Sequence, residues 1–325
     1  SYSLDVNDLI VACEDLFEGL KEFETNNVYS IYGNSTNWLI GGAVNRLNYC
    51  NQYLSSCSNV RGNLVGFGSE DINVVRWSGT YWLVGGGGTN DVLNRCNSDL
   101  SSCTDVTGND NFGTACCISN AHWNGTYWFV VGSGGGVKRC DEAVDTVCTN
   151  IGGMGLSFVY SVYWNGSWWL TGGASANLQK CNSDGSTCTD EDARLANFGA
   201  NIVYSISWNG SYWIVGGGNK TLNRCPRDVD SACTDISGNL SNWSSTEAIT
   251  TIYSGDAYVL IGGTGGELNI CNRNITFCDD ISGNVTNIGS NNFHSIYKIG
   301  SFLVLGANSA KLYRAYERYP VYHLA

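Results

Sequence analysis

One phrase is written again and again along this chain. It reads "WSGTYWLVGGGG" from Trp77, "WNGTYWFVVGSGGG" from Trp123, "WNGSWWLTGGA" from Trp164 and "WNGSYWIVGGG" from Trp208. Aligned on the second aromatic of its Tyr-Trp or Trp-Trp pair, the phrase falls at Trp38, Trp82, Trp128, Trp169 and Trp213, and weaker copies place Val259 and Leu303 there. The successive spacings are 44, 46, 41, 44, 46 and 44 residues. A period of roughly 40–45 without a helical pattern is the length of a four-stranded propeller blade. Such a unit cannot bury its apolar faces alone, so the copies must stack on one another.

One copy can be read strand by strand. "NIVYSISW" (Asn201 to Trp208) is rich in β-branched and aromatic residues and reads as a strand. Asn209-Gly210 is expected to form a two-residue turn with positive φ at both positions. "SYWIV" returns, "TLNRC" (Thr221 to Cys225) makes a third strand and "ACTDIS" (Ala232 to Ser237) a fourth. Length alone would suggest two domains. The unbroken period predicts one all-β domain over 1–325, a seven-bladed propeller of four-stranded antiparallel blades beginning near 28, 71, 117, 158, 201, 248 and 292. Residues 1–27 are left as a closing strand and lead-in, and 316–325 as a tail.

The ends explain how the ring should close. "VACEDLFEGL" (Val11 to Leu20) matches "SACTDISGNL" (Ser231 to Leu240), a fourth strand and its exit. "KLYRA" (Lys311 to Ala315) matches "TLNRC", with Ala315 where cysteine belongs. Residues about 8–16 are therefore expected to pair beside 311–316, with Cys13 facing Ala315. The alternative is that this strand closes the ring of a neighbouring subunit. The apolar tail is expected to dock on a neighbour or add to a sheet edge.

The chain has 15 cysteines, and twelve form six pairs at one place in the repeat. The pairs are Cys50 with Cys57, Cys96 with Cys103, Cys140 with Cys148, Cys181 with Cys188, Cys225 with Cys233 and Cys271 with Cys278. The first of each pair is expected to end the third strand and the second to begin the fourth. Cysteines facing each other across such a hairpin come within disulfide reach. Zinc would need closer spacing and a second ligand pair, and the three histidines (His122, His294, His323) are scattered. Six disulfides imply an oxidising compartment. Cys13, Cys116 and Cys117 stand outside the pattern. The last two are expected to form a vicinal bridge, or one of them to bond a neighbouring molecule. The chain begins at Ser1, which suggests a leader that was removed.

The loop "NSDGSTC" (Asn182 to Cys188) resembles the Asp-box of BNR-repeat propellers, S-x-D-G-x-T-W, with Cys in place of Trp. "NSDLSSC" (Asn97 to Cys103), "CPRDVDSAC" and "CDEAVDTVC" are looser versions. The resemblance implies a fold, since the box is mainly a structural turn. Some relatives in that family are sialidases with an arginine cluster, so Arg95, Arg139 and Arg224 must be weighed, with Lys180 and Arg314 at the same repeat position. A cation repeated at one blade position reads as a rim residue covering apolar surface. Asp105, Asp190, Asp235 and Asp280, repeated after the second cysteine, read as turn formers. No catalytic constellation and no cofactor motif stands out, so an enzyme is not expected.

The net charge is −12. That excludes the basic footprint of a nucleic-acid binder, and no apolar run is long enough to span a membrane as a helix. N-x-S/T sequons stand at Asn34, Asn124, Asn165, Asn209, Asn219, Asn239, Asn242, Asn274 and Asn284, mostly on turns. The expectation is an extracellular, glycosylated, self-associating structural or adhesive module. A multivalent lectin, with repeated aromatics stacking on cell-surface glycans, is the alternative, and a sialidase-like hydrolase comes third.

Overall fold

The computed structural model describes residues 10–16, 19–110, 112, 117–134, 136–152 and 158–317. Cys116, His323 and residues 318–325 of the tail lie outside them. The described chain forms seven four-stranded antiparallel sheets. Six are consecutive in sequence. The fifth blade, for example, runs Val203–Trp208, Trp213–Gly217, Leu222–Cys225 and Thr234–Asp235. The seventh is composite. Phe293–Ile299, Phe302–Ala307 and Leu312–Glu317 are joined on the outside by Ile10–Asp15. Cys13 sits opposite Ala315, Glu14 opposite Arg314 and Asp15 opposite Tyr313. The ring is thus closed within the chain, by the strand and register expected.

The repeated phrase builds the first hairpin of each blade. Strands pair out to Trp208 and Trp213, leaving four residues between them. The turn is shifted by one from the expected centre. Only Gly210 has positive φ, at 88°. Asn209 precedes the turn, and its Oδ1 accepts the backbone N–H groups of Ser211 (3.0 Å) and Tyr212 (2.7 Å). Glycine at the first central position suits the right-handed strand twist.

The tryptophan on which the phrase is aligned is the pillar of the blade. Trp38, Trp82, Trp128, Trp169 and Trp213 are fully buried. Each indole N–H donates to a carbonyl in the loop between third and fourth strands, at 2.9–3.1 Å, as with Trp213 to Arg227. A buried indole with its donor satisfied combines a large apolar area with no polar penalty. The glycines after it lie within the strand, where the next blade approaches. A Cβ on Gly216 would stand 2.5 Å from Ile249 Cγ2, and one on Gly172 2.3 Å from Val203 Cγ1. Blade-to-blade packing, rather than the turn, therefore demands glycine at these two positions.

All six expected disulfides are formed across the outer hairpins. Cys50 is bonded to Cys57, Cys96 to Cys103, Cys140 to Cys148, Cys181 to Cys188, Cys225 to Cys233 and Cys271 to Cys278, with Cα atoms 4.0–4.5 Å apart. Their strand positions correct the expectation in part. Cys57, Cys103, Cys188 and Cys278 do open their fourth strands, each directly opposite its partner. Cys148 and Cys233 instead stand just before theirs, Thr149–Ile151 and Thr234–Asp235. The reason is loop length: these two pairs are separated by 8 residues rather than 7, and the extra residue holds the second cysteine outside the ladder. At the other end, Cys50 and Cys271 fall one residue short of the strand end, since Arg46–Asn51 and Leu268–Asn272 each run one residue further.

In the four shorter loops the residue after the first cysteine is asparagine, and its amide bonds a Ser or Thr four positions on. The pairs are Asn51 to Ser55, Asn97 to Ser101, Asn182 to Ser186 and Asn272 to Thr276, at 2.8–2.9 Å. One residue in each of the six loops is left-handed: Leu54, Leu100, Val144, Gly185, Val229 and Ile275. Left-handed backbone is costly for β-branched residues, yet the apolar side chains here are buried between blades. Their burial, worth about 1.5–3 kcal/mol each, offsets the strain. Gly185 is the exception, because a Cβ there would collide with Ile151 and Phe129, which already fill the gap.

Candidate functional site

Antiparallel strands put the first hairpin tips and the disulfide loops on one face of the disc and the turns between second and third strands on the other, while the connectors leave the fourth strands beside the next blade's disulfide loop, as Asn109 Nδ2 bonds Val144 O (2.8 Å). Two places then collect repeated polar residues: the rim of the hairpin face and the central channel.

At the rim, the cation before the first cysteine reaches into the next blade. Arg95 Nη1 donates to Ala143 O (2.8 Å) and pairs with Asp145 (2.6 Å). Arg139 donates to Asp184 O, Lys180 to Asp228 O, Arg224 to Asn274 O and Arg314 to Tyr53 O, at 2.5–2.8 Å. In the first blade the Tyr49 hydroxyl does the same to Ser98 O (3.2 Å). The cations also lie over the aromatic just before the buried tryptophan, as Arg224 lies over Tyr212 with 4.9 Å to the ring centre. Arg95, Arg139 and Arg224 therefore stand apart around the ring as clasps and do not converge. The aromatics at this position, Tyr81, Tyr127, Trp168 and Tyr212, are half-buried and each carries a cation over the ring. Asp105, Asp190, Asp235 and Asp280 each accept the backbone N–H two residues on, at 2.9 Å, as turn formers.

Of the sequons, Asn34, Asn124, Asn165 and Asn209 lie at first-hairpin tips, and Asn274 in a disulfide loop beside them. Asn219, Asn239, Asn242 and Asn284 are exposed; Asn219 lies in the turn between second and third strands, and Asn239 Nδ2 donates to Ile275 O in the disulfide loop of the next blade at 2.7 Å. Asn209 is the one of the nine that is buried; its Nδ2 donates to Arg273 O at 2.7 Å, as Asn124 Nδ2 does to Ser183 O at 3.0 Å. Cys13 is a buried thiol whose pKa burial pushes up to about 12. Cys117 lies at the channel mouth, its Sγ 3.9 Å from Gly88 O.

The channel is lined by the seven inner strands and encloses a cavity of about 800 Å³. Its wall repeats like the rest. At the third strand position, serines bond the next blade: Ser30 accepts from Val75 N, Ser161 from Ile206 N and Ser295 from Ile31 N, at 3.0–3.1 Å. Two positions on, the side chains are Tyr32, Arg76, His122, Tyr163, Ser207, Tyr253 and Tyr297. Tyr32 and Tyr297 rings are 4.2 Å apart, and Arg76 lies 5.4 Å from the Tyr32 ring centre. Burial and the neighbouring Arg76 charge push His122 down to about 3, so it is neutral at pH 7. Burial raises the Tyr163 and Tyr297 hydroxyls above the usual phenol value. Sequence reasoning missed this layer. The signal was present as the fifth residue of each inner strand, but the repeat there varies in chemistry, so alignment on similarity passes over it.

Among the described residues no group of three or more His, Cys, Asp or Glu side chains could hold a metal ion. No helix of the described residues is long and apolar enough to cross a membrane. A scan against protein-family models gives no match, and a search of curated proteins gives none either. The Asp-box resemblance therefore rests on the loop residues and the blade architecture.

Proposed function

We propose that this protein is an extracellular, non-enzymatic propeller that serves as a structural or adhesive surface module, glycosylated and assembled into a filament, fibre or layer. The observation that carries the reading is the outer rim. Six of seven blades are bridged by a disulfide, and the repeated cations and indoles are engaged in holding blades together. Disulfides at this density fit an oxidising compartment, and a ring clasped at its rim suits a part that must keep its shape outside a cell. The exposed sequons at Asn219, Asn239, Asn242, Asn274 and Asn284 carry the glycans in this reading.

Electron micrographs of native material, with intact mass before and after deglycosylation, test it. Ordered assemblies and a mass drop on deglycosylation are expected. Single 35.1 kDa particles of unmodified mass would overturn it. A glycan array tests the lectin alternative, for which the exposed rim aromatics Tyr53 and Phe277 are the remaining contacts.

A further inference from the structure

Of the described residues lining the central cavity, Arg76 is the only arginine or lysine, and Asp71 the only carboxylate. The two stand five residues apart on and beside one strand, about 16 Å at strand rise. No carboxylate of the described residues pairs with Arg76. Its Nη1 donates to Val75 O (2.9 Å) and weakly to Ser30 Oγ (3.4 Å), and its Nη2 to Asn120 Oδ1 (2.9 Å). A guanidinium has five N–H donors and does not deprotonate in proteins, so it keeps both charge and donors for something else. Three neutral hydrogen bonds and one cation–π contact, about 0.5–2 kcal/mol, do not replace a counter-ion for a charge drawn out of water. Beside it, His122 Nδ1 is buried without a hydrogen-bond partner. That ring is neutral, so the floor of the cavity carries a single positive charge, walled by the rings of Tyr32, Tyr163 and Tyr297.

We propose that the central cavity binds a small, flat organic monocarboxylate, its carboxylate gripped by Arg76 and its body lying among these tyrosines. The planar fork of a guanidinium matches a carboxylate in two parallel hydrogen bonds. One cation balances one negative charge. A dianion would leave a surplus charge in a half-dry site, within a chain of net charge −12. The volume is that of a small-molecule site.

Ligand-observed NMR titration of the full chain tests this with benzoate, its neutral isostere benzamide, and phenyl phosphate. Saturable benzoate binding is expected, with benzamide about tenfold weaker or more and phenyl phosphate weaker than benzoate. In Arg76→Gln, which keeps a donor toward Asn120, the preference for benzoate over benzamide should vanish. Equal binding of benzoate and benzamide to the native chain, tighter binding of phenyl phosphate, or no saturable binding overturns the proposal. So does a preference that survives in a folded Arg76→Gln. Should that variant fail to fold, the benzoate–benzamide comparison on the native chain decides alone.

Discussion

The first six blades and the seventh solve one problem by different means. In each of the six, the fourth strand follows the third through a short loop, and a disulfide locks the pair. In the seventh, the fourth strand arrives from the other end of the chain, and Cys13 faces Ala315 where the bridge would be. Two ion pairs stand there instead, Lys311 with Asp15 at 2.8 Å and Arg314 with Glu14 at 2.6 Å. Surface ion pairs contribute about 0–1 kcal/mol each, whereas a short-loop disulfide contributes roughly 2–3. The join that makes the ring a ring is thus its least reinforced outer strand pair. Burial of Cys13 in the core with Leu303 and Tyr313 holds it.

Full reduction should have the largest effect. Six bridges at roughly 2 kcal/mol each predict a steep fall in the thermal midpoint, read by calorimetry with and without strong reductant. A midpoint that stays put while thiol titration finds the bridged cysteines free would show that the bridges do not hold the blades. Removing residues 1–20 comes next. It strips the fourth strand of one blade only, and a destabilised monomer is expected, its midpoint lower by roughly 10 °C or more. A variant that stays folded but loses assembly would mean instead that the strand is donated between subunits. The third test makes the seventh blade like the others. Ala315→Cys should bridge to Cys13 and add roughly 2–4 kcal/mol, with the Cys13 thiol disappearing from titration. If both thiols persist under oxidising conditions, the register at the seam is wrong. The smallest effect offers a control that involves neither thiols nor the closing strand. Asp110, packed against Asp91, is pushed up to about 7, first by burial and then by the Asp91 charge. An acid whose pKa is raised on folding loses stability as pH rises toward that value. Stability should therefore decline between about pH 4 and 7 through this group. Asp110→Asn, which can still accept from Phe112 N, should flatten that slope and add about 1–2 kcal/mol near pH 7. An unchanged slope would refute the assignment.

Much of this architecture was legible because the repeat is strict where packing is strict. Trp213, Gly216 and Cys225 recur since each touches the next blade or the neighbouring strand in one geometry. The closing strand was legible for the same reason: it is a displaced copy of that unit. The bridges of Cys148 to Cys140 and of Cys233 to Cys225 were legible too, but not the place of Cys148 and Cys233 outside the fourth strand, because one added loop residue shifts where the ladder can begin. The channel layer was not legible, since side chains at its floor contact one another across the ring and need not repeat. The turn centre was displaced by one residue because the Asn209 side chain caps Ser211 and Tyr212 from the position before the turn, which leaves Gly210 at the first central position. The left-handed Val144, Val229 and Ile275 run against local preference, and only the apolar gap between blades explains them.

The rim clasps all run in one rotational sense, each blade gripping the loop of its successor. Read as a hoop, the molecule has seven links to make and one it omits. The sixth blade carries Ile270 where the others carry a cation or a tyrosine, because the seventh has no disulfide loop to grip. Ile270 turns inward instead, into the same cluster as Tyr258 and Cys13. A hoop under outward load parts at its missing link, so tension across this disc would be released first between the sixth and seventh blades, beside the strand that seals it. Any assembly built from this part would stay rigid longest by pulling elsewhere on its circumference.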